Sequence, residues 1–540
     1  MSLARSTIVF AFGTLLSRLT GLLRDRVVLS VFGASETLEA FIVANRIPNL
    51  FRELLSEGAL SNSFTKVYAE ICATDPDRGH KLLTNTLILV GFIGILFVAT
   101  GILAAPLLVH LSTLLIEGAD YSDQFVPLAT QLTRILFPFI LLMSLASIAM
   151  GALHQRGQFL ITSTSPIILN IGYIFGAYVL AQTLRDRWGE IASQLSTDPM
   201  SLGLALGVLL GGFGQMIFQL AGLWQPVLKE HFRFTFRLPW DSDLKKIFIL
   251  MAPMVIATSA GPINAQVNLI FATSVGGGAL VWLNYSFRLL QLPVGLFGVA
   301  ASAAVLPALT RAIAKAGGKI DLASSRIFQQ AIEIVLWLLT PSVVLLLTSH
   351  TELIGLVFQS GKFQAADVAA TGQTLFVYSF GLLGYGFIKV LTSFYYATDN
   401  TTYPMRVSLS MIAVNLLANV FLVRHFGHYG VAGATATTLM GNAALLFWGL
   451  RKYSLQFEGK ELLRSIVATA VAGVCAGASI LALRHSQMVD TATLTPFLDN
   501  GIQLTVAGIL IAAVYFFAGM IRWRVGPKGA LAAVKNFRRR

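Results

Sequence analysis

Charged residues are scarce in this 540-residue chain, 12% against 55% hydrophobic. With a mean hydropathy of +0.72, that balance excludes a soluble globular fold. Cysteine is nearly absent. The chain has 2, Cys72 in a loop and Cys475 inside an apolar block, which points away from a disulfide framework and from a thiolate metal site. The chain also lacks the zinc-protease pattern H-E-x-x-H, the phosphate loop G-x-x-x-x-G-K-[ST] and any credible nucleophile triad. Neither catalysis nor ATP-driven transport by this chain alone is therefore expected, and no cofactor or metal is called for. All 8 histidines (His80, His110, His154, His231, His350, His425, His428 and His485) fall near loops or block ends, which leaves no mid-membrane histidine relay for protons.

What is present is a series of apolar blocks, each close to the ~20 residues that carry a helix across a hydrocarbon core. Strands would need shorter, alternating blocks, so the class is an all-α polytopic membrane protein. Fourteen spans are expected, at 7–32, 38–65, 82–112, 126–153, 159–183, 200–227, 244–275, 279–309, 327–349, 367–396, 404–423, 429–450, 463–483 and 501–521. The first resembles a signal peptide only superficially: Arg18 interrupts its apolar run and no suitable cleavage site follows, so it is read as retained. No loop is long enough to fold as a domain, so function must reside within the membrane.

Basic residues set the orientation. Sorted by this span count, 26 Lys and Arg fall on the side that holds both termini, 5 on the other, and 8 within spans. The bias places both termini in the cytoplasm. The net charge of +13 is then read as attraction to anionic membrane lipid rather than to nucleic acid, since the basic loops alternate with spans.

The intramembrane charges carry the chemistry. Arg18, Arg24 and Arg26 lie in span 1, Arg46 and Arg52 in span 2, and Arg134, Arg288 and Lys389 farther along. A lipid-facing charge at mid-membrane costs roughly 2.5 to 3.5 kcal/mol, so such a cluster is expected to line a wet cavity. The acids within spans are Asp25, Glu39, Glu53, Glu57 and Glu333, 5 against those 8 bases. Internal pairing leaves positive charge over, which calls for an anionic ligand or chloride. Arginine's planar fork suits a diphosphate, because it grips phosphate oxygens in pairs and stays charged when desolvated. Arg18, Arg24, Arg52 and Arg288 are the principal candidates for substrate binding, with Asp25, Glu39, Arg46 and Glu57 beside them. The competing reading is an internal ion-pair network of Arg52 with Glu53 or Glu57. Asn264 with Asn268, and Asn415 with Asn419, are spaced for hydrogen bonds between helices.

Spans 2 and 8 look alike. Arg46, Pro48, Asn49, Gly58 and Ala59 in one, and Arg288, Gln291, Pro293, Gly298 and Ala300 in the other, each give a polar first half, a proline and then small residues. Aligning Pro48 with Pro293 gives an offset of 245 residues, which suggests two six-helix lobes of the same orientation, 1–227 and 228–452, around a central cavity. Residues 453–540 add two further helices and a basic cytoplasmic tail.

Two motifs are the most specific, Ser17-Arg18-x-x-Gly21-x-x-Arg24-Asp25 and Ala44-x-x-x-Pro48-Asn49-Leu50-x-Arg52-x-x-x-x-Glu57-Gly58-Ala59. Both resemble the MurJ (MviN) family of lipid II flippases, within the MOP exporter superfamily. The likeness continues through Phe137-Pro138, Leu169-Asn170-Ile171, Gly295-x-x-Gly298-Val299-Ala300 and Phe358-Gln359-x-Gly361-Lys362-Phe363. The resemblance implies movement of the undecaprenyl-diphosphate-linked peptidoglycan precursor from inner to outer leaflet by alternating access. It also implies a bacterial inner-membrane location, a monomer, cavity arginines on the headgroup and a groove for the lipid tail at the last two spans. Phe287 and Gln291 stand beside Arg288 where relatives often carry acids, and Asn415 and Asn419 stand where some relatives place a sodium-binding carboxylate. A flippase for another polyprenyl-diphosphate glycan, of O-antigen type, would use the same arginines. A cation-coupled drug antiporter would call for few arginines, dominant carboxylates and twelve spans.

Overall fold

The computed structural model describes residues 3–186, 198–229, 240–486 and 495–523. Among them the only β-pairing is an isolated bridge between Ser360 and Phe363, and the rest is helix and turn. Ten helices are long and apolar enough to cross a membrane, or 12 when two bent pairs are each taken as one span. The two arginine-bearing runs, Leu3–Phe32 and the one from Glu36 to Thr74, add to these. The tally is consistent with the expected fourteen.

Local chemistry explains where the helices begin. Helix α1 (Leu3–Phe32) stops at Gly33, whose φ of 63° is open to glycine at little cost. Ser35 then caps α2 (Glu36–Phe51), its hydroxyl accepting from Leu38 N. Asp75 caps α4 (Pro76–Ser112), Asp198 caps Pro199–Leu223, and Asp321 closes a reciprocal box with Ser324 at Leu322–Thr348. In two of these a proline follows the cap, where its missing N–H removes no helical bond.

By Cα proximity the chain divides into two compact units, one comprising 1–281 with 360–364, the other 282–359 with 365–540. In the first, α2 passes at Arg52–Leu60 through a π-helical stretch into α3 (Ser61–Thr74). Its core gathers Phe64, Val67 and Tyr68 of α3, Leu82, Leu83 and Leu87 of α4, and Ile148 and Leu153 of α6 (Phe139–Gln155). Pro138 separates α6 from α5 (Phe125–Leu136). Helix α7 (Phe159–Phe175) packs on α1 and, through facing glycines, on Pro199–Leu223.

The second unit packs Val305 and Leu309 against Phe328, Val335, Val390 and Phe394. Here too a proline is followed by π-helix: Pro293 leads into Val294–Gly298, as Pro48 leads toward Arg52–Leu60. Proline takes one donor out of the ladder, and the wider turn re-pairs the carbonyls left over. The last two helices, Gly459–His485 and Pro496–Trp523, meet Val344 through small residues, Ala472, Ala476 and Ala507. Large apolar side chains face outward throughout, among them Leu96, Leu103, Phe421 and Val474, as a lipid-facing surface requires.

Candidate functional site

Three of the four principal arginines lie in the first unit, Arg18 and Arg24 on α1 and Arg52 in the π-helical stretch after α2. Arg24 is held on three sides. Its Nε and Nη2 donate to Asp25 Oδ1 at 2.9 and 2.7 Å, and its Nη1 donates to Asn170 Oδ1 at 3.1 Å. Its guanidinium carbon lies 4.8 Å from the centre of the Tyr173 ring, within cation–π range. Asp25 is only 2% exposed, so its charge is tied to this arginine inside the protein.

Arg52, at the first turn of the π-helix, donates from Nε to Asn49 Oδ1 at 2.8 Å. Its Nη2 stands 4.0 Å from Glu53, a long contact. Glu53 is closer to Arg46, which donates to it at 3.0 Å and gives a second bond, also 3.0 Å, to the carbonyl of Pro262. Arg46 is thus occupied by a carboxylate and a main-chain oxygen. Of the ion-pair network expected for Arg52, the structure places Glu53 mainly on Arg46; the Glu57 side chain lies outside the described residues.

Arg18 differs from the others. It is half-buried on α1, and among the described residues it has no hydrogen-bond or ion-pair partner. A half-buried guanidinium without a partner carries the desolvation cost of a charge and leaves its fork open for an anion.

Glu39 is 1% exposed, yet none of its partners among the described residues is an arginine. Its carboxylate accepts from Leu280 N at 2.8 Å. Gly276, Gly277 and Gly278 have φ of 70°, 63° and 96°. Glu39 therefore secures a left-handed glycine loop at the start of Ala279–Pro293. Glu39→Ala is expected to destabilise the protein by about 1 to 3 kcal/mol, because the buried Leu280 N–H loses its acceptor. Glu39→Gln, which keeps a side-chain carbonyl there, should cost less; equal melting temperatures for the two would show that the carboxylate is not the anchor.

In the second unit Arg288 lies over the Tyr285 ring at 5.4 Å, and Lys389 lies over Tyr385 at 5.5 Å. Phe287 stacks on Tyr385 and tilts against Tyr378, so the position beside Arg288 is aromatic rather than acidic. Asn415 and Asn419 are fully buried, and Asn419 donates to Asn415 while Asn415 donates to Thr438, the pattern of helix-to-helix bonding.

Sequence reasoning did not assign roles to Asn45, Asn49, Asn170 and Tyr173, which touch the arginines or one another. The signal was available in span 2, where Asn45, Asn49 and Arg52 recur at helical spacing along one face of an apolar run.

The description "Lipid II flippase MurJ" belongs to the family model that matches residues 28–498. The chain belongs to the MurJ family. A lipid II flippase MurJ of Burkholderia cenocepacia is 31% identical over 100% of both chains. A probable MurJ of Vibrio cholerae is 30% identical over 89% of each. Among solved structures, a MurJ in an inward closed conformation aligns with a TM-score of 0.75 at 22% identity, covering 96% of this chain and 99% of that one. An inward-facing multidrug MATE transporter of the MOP superfamily aligns with a TM-score of 0.64 at 15% identity, over 82% of this chain and 97% of its own, and so shares the fold.

Proposed function

We propose that the chain is a lipid II flippase, carrying the diphosphate-linked peptidoglycan precursor from the inner to the outer leaflet. Arg18, Arg24 and Arg52 would hold the diphosphate, and Arg288 is proposed as a further contact on its charge and its aromatic platform. The observation that carries this reading is a half-buried Arg18, without a partner among the described residues, on the same helix as a braced Arg24 in a chain of the MurJ family. Two arginines present enough N–H donors to bind both phosphates while excluding water.

Alternating access would move the lobes 1–227 and 228–452 about the bound headgroup, with the polyprenyl tail beside the two final helices. Both termini are proposed to be cytoplasmic, on the 26-to-5 distribution of basic residues, in the bacterial inner membrane. A monomer is proposed, with chloride or another anion on the arginines between cycles. Resetting would draw on the membrane potential, worth about 2.3 kcal/mol for each charge moved through 100 mV. The test is depletion in the native host. Lysis with lipid II trapped in the inner leaflet is expected; accumulation of a different polyprenyl-diphosphate glycan, with lipid II export intact, would assign the other substrate.

A further inference from the structure

We infer that Asn45, Asn49, Asn170 and Tyr173 form a positioning frame that fixes Arg24 and Arg52 relative to each other, so that the pair meets a diphosphate as one unit. The inference rests on the assignment of those two arginines to the diphosphate.

The frame is continuous. Beginning at Arg52, its Nε donates to Asn49 Oδ1 at 2.8 Å, and Asn49 Nδ2 donates to the carbonyl and the Oδ1 of Asn45 at 2.8 and 3.0 Å. Asn45 Nδ2 then crosses from α2 to α7, donating to the Tyr173 hydroxyl at 3.2 Å. The ring of that same tyrosine lies beneath Arg24. Three residues earlier on α7, Asn170 accepts from Arg24 and donates to Ser17 O at 3.1 Å and Thr20 Oγ1 at 3.0 Å, tying α7 back to α1. Three helices are thereby laced together by side chains whose ends are the two arginines.

The chemistry of the links argues for a role beyond packing. Both amides that touch an arginine present oxygen to it, and the amide nitrogens point away along the chain. A neutral carbonyl orients a guanidinium without cancelling its charge, whereas a carboxylate would pair with it and compete with the substrate. Asp25 binds Arg24 through a single oxygen, and among the described residues three of Arg24's five N–H groups are engaged. Two remain for a phosphate. Holding long, rotamer-rich side chains in the binding geometry before substrate arrives removes an ordering cost from binding.

The experiment uses the full chain in nanodiscs and a fluorescent lipid II, reading the dissociation constant and the melting temperature together. Tyr173→Phe keeps the ring under Arg24 and removes only the hydroxyl that Asn45 grips; Asn49→Ala removes the carbonyl on Arg52. Each is expected to weaken lipid II binding by about three- to tenfold, the value of one hydrogen bond. Asn49→Asp keeps an oxygen on Arg52 but sets a charge against it and loses both donations to Asn45, so it should weaken binding at least as much as Asn49→Ala. The decisive reading is the double mutant. In an Arg52→Ala background, Tyr173→Phe should add nothing, because its hydroxyl reaches the site only through Asn45, Asn49 and Arg52; an additive loss would overturn the frame, since the tyrosine would then act elsewhere. If Arg24→Ala and Arg52→Ala weaken binding while Tyr173→Phe and Asn49→Ala do not, the frame falls and the diphosphate assignment stands. If the two arginine variants bind normally, the assignment falls and the frame with it.

Discussion

Arg18→Ala should abolish rescue of a strain depleted of its own flippase while the variant accumulates to normal levels and melts no lower than the parent. The two halves of that expectation come from one fact: Arg18 has no partner among the described residues. Removing it breaks no bond to the described residues and relieves a half-buried charge of its desolvation cost, so folding is unharmed. Removing a fork that contacts only substrate takes away two charge-assisted hydrogen bonds at once, and transport should fall by about a hundredfold or more. Arg18→Lys should recover part of the activity, because lysine supplies the charge without the planar geometry. Arg24→Ala is a less clean variant. It strips the buried Asp25 of its guanidinium, so lost binding and lost stability would arrive together. Full rescue by a well-expressed Arg18→Ala would remove this residue from the binding site.

Residues of this site differ in how visible they are in the sequence, and the reason is physical. Arg18, Arg24 and Arg52 stand out because a charge in an apolar span is costly, so its position alone signals a task. The fold class is legible for a similar reason: the bilayer dictates block length. Asn45, Asn49 and Asn170 give no such warning, since a neutral amide within a span is commonplace and its partner decides its meaning. Glu39 was read as a neighbour of the arginines, yet its acceptor role depends on Leu280, 241 residues away, a contact no local pattern encodes. The π-helices after Pro48 and Pro293 are changes in backbone pairing that leave no trace in composition beyond the proline itself.

The short helix His350–Phe358 also went unread, being too brief for its period to stand clear of the spans on either side. The turn that follows it, in contrast, explains a motif. Lys362 N donates to Ser30 O at 2.8 Å, and Gly361 has φ of 53° with Ser30 O so near that a Cβ would collide with it. The glycine in Phe358-Gln359-x-Gly361-Lys362-Phe363 is there because a backbone approaches at that point.

The second large effect is expected at Gly207, where the arginines depend on packing rather than on charge. Gly203, Gly207 and Gly211 face Gly172 and Gly176 of the α7 run, and a Cβ on Gly176 would lie 2.7 Å from Gly207 Cα and 2.8 Å from Gly203 O. A Cβ on Gly207 would lie 2.5 Å from Gly172 O. The colliding atoms are backbone, so no side chain can swing aside and the two helices must separate. Small residues drive helix association in membranes through this close approach. Gly207→Val should therefore cost at least the 1 to 3 kcal/mol typical of overpacking, and more if the seam opens along its length, as roughly 3 to 5 kcal/mol would reveal. Gly91→Ala is the control: a Cβ there meets nothing within 4 Å, and it should be neutral or stabilise α4 by up to about 1 kcal/mol. The seam also bears on the site, because α7 carries Asn170 and Tyr173. The milder Gly207→Ala, if it folds, should shift α7 and weaken lipid II binding, whereas Gly91→Ala should not. Equal thermal stability for Gly207→Val and Gly91→Ala would mean that the helices are not in the contact described, and the bracing of Arg24 by α7 would lose its support.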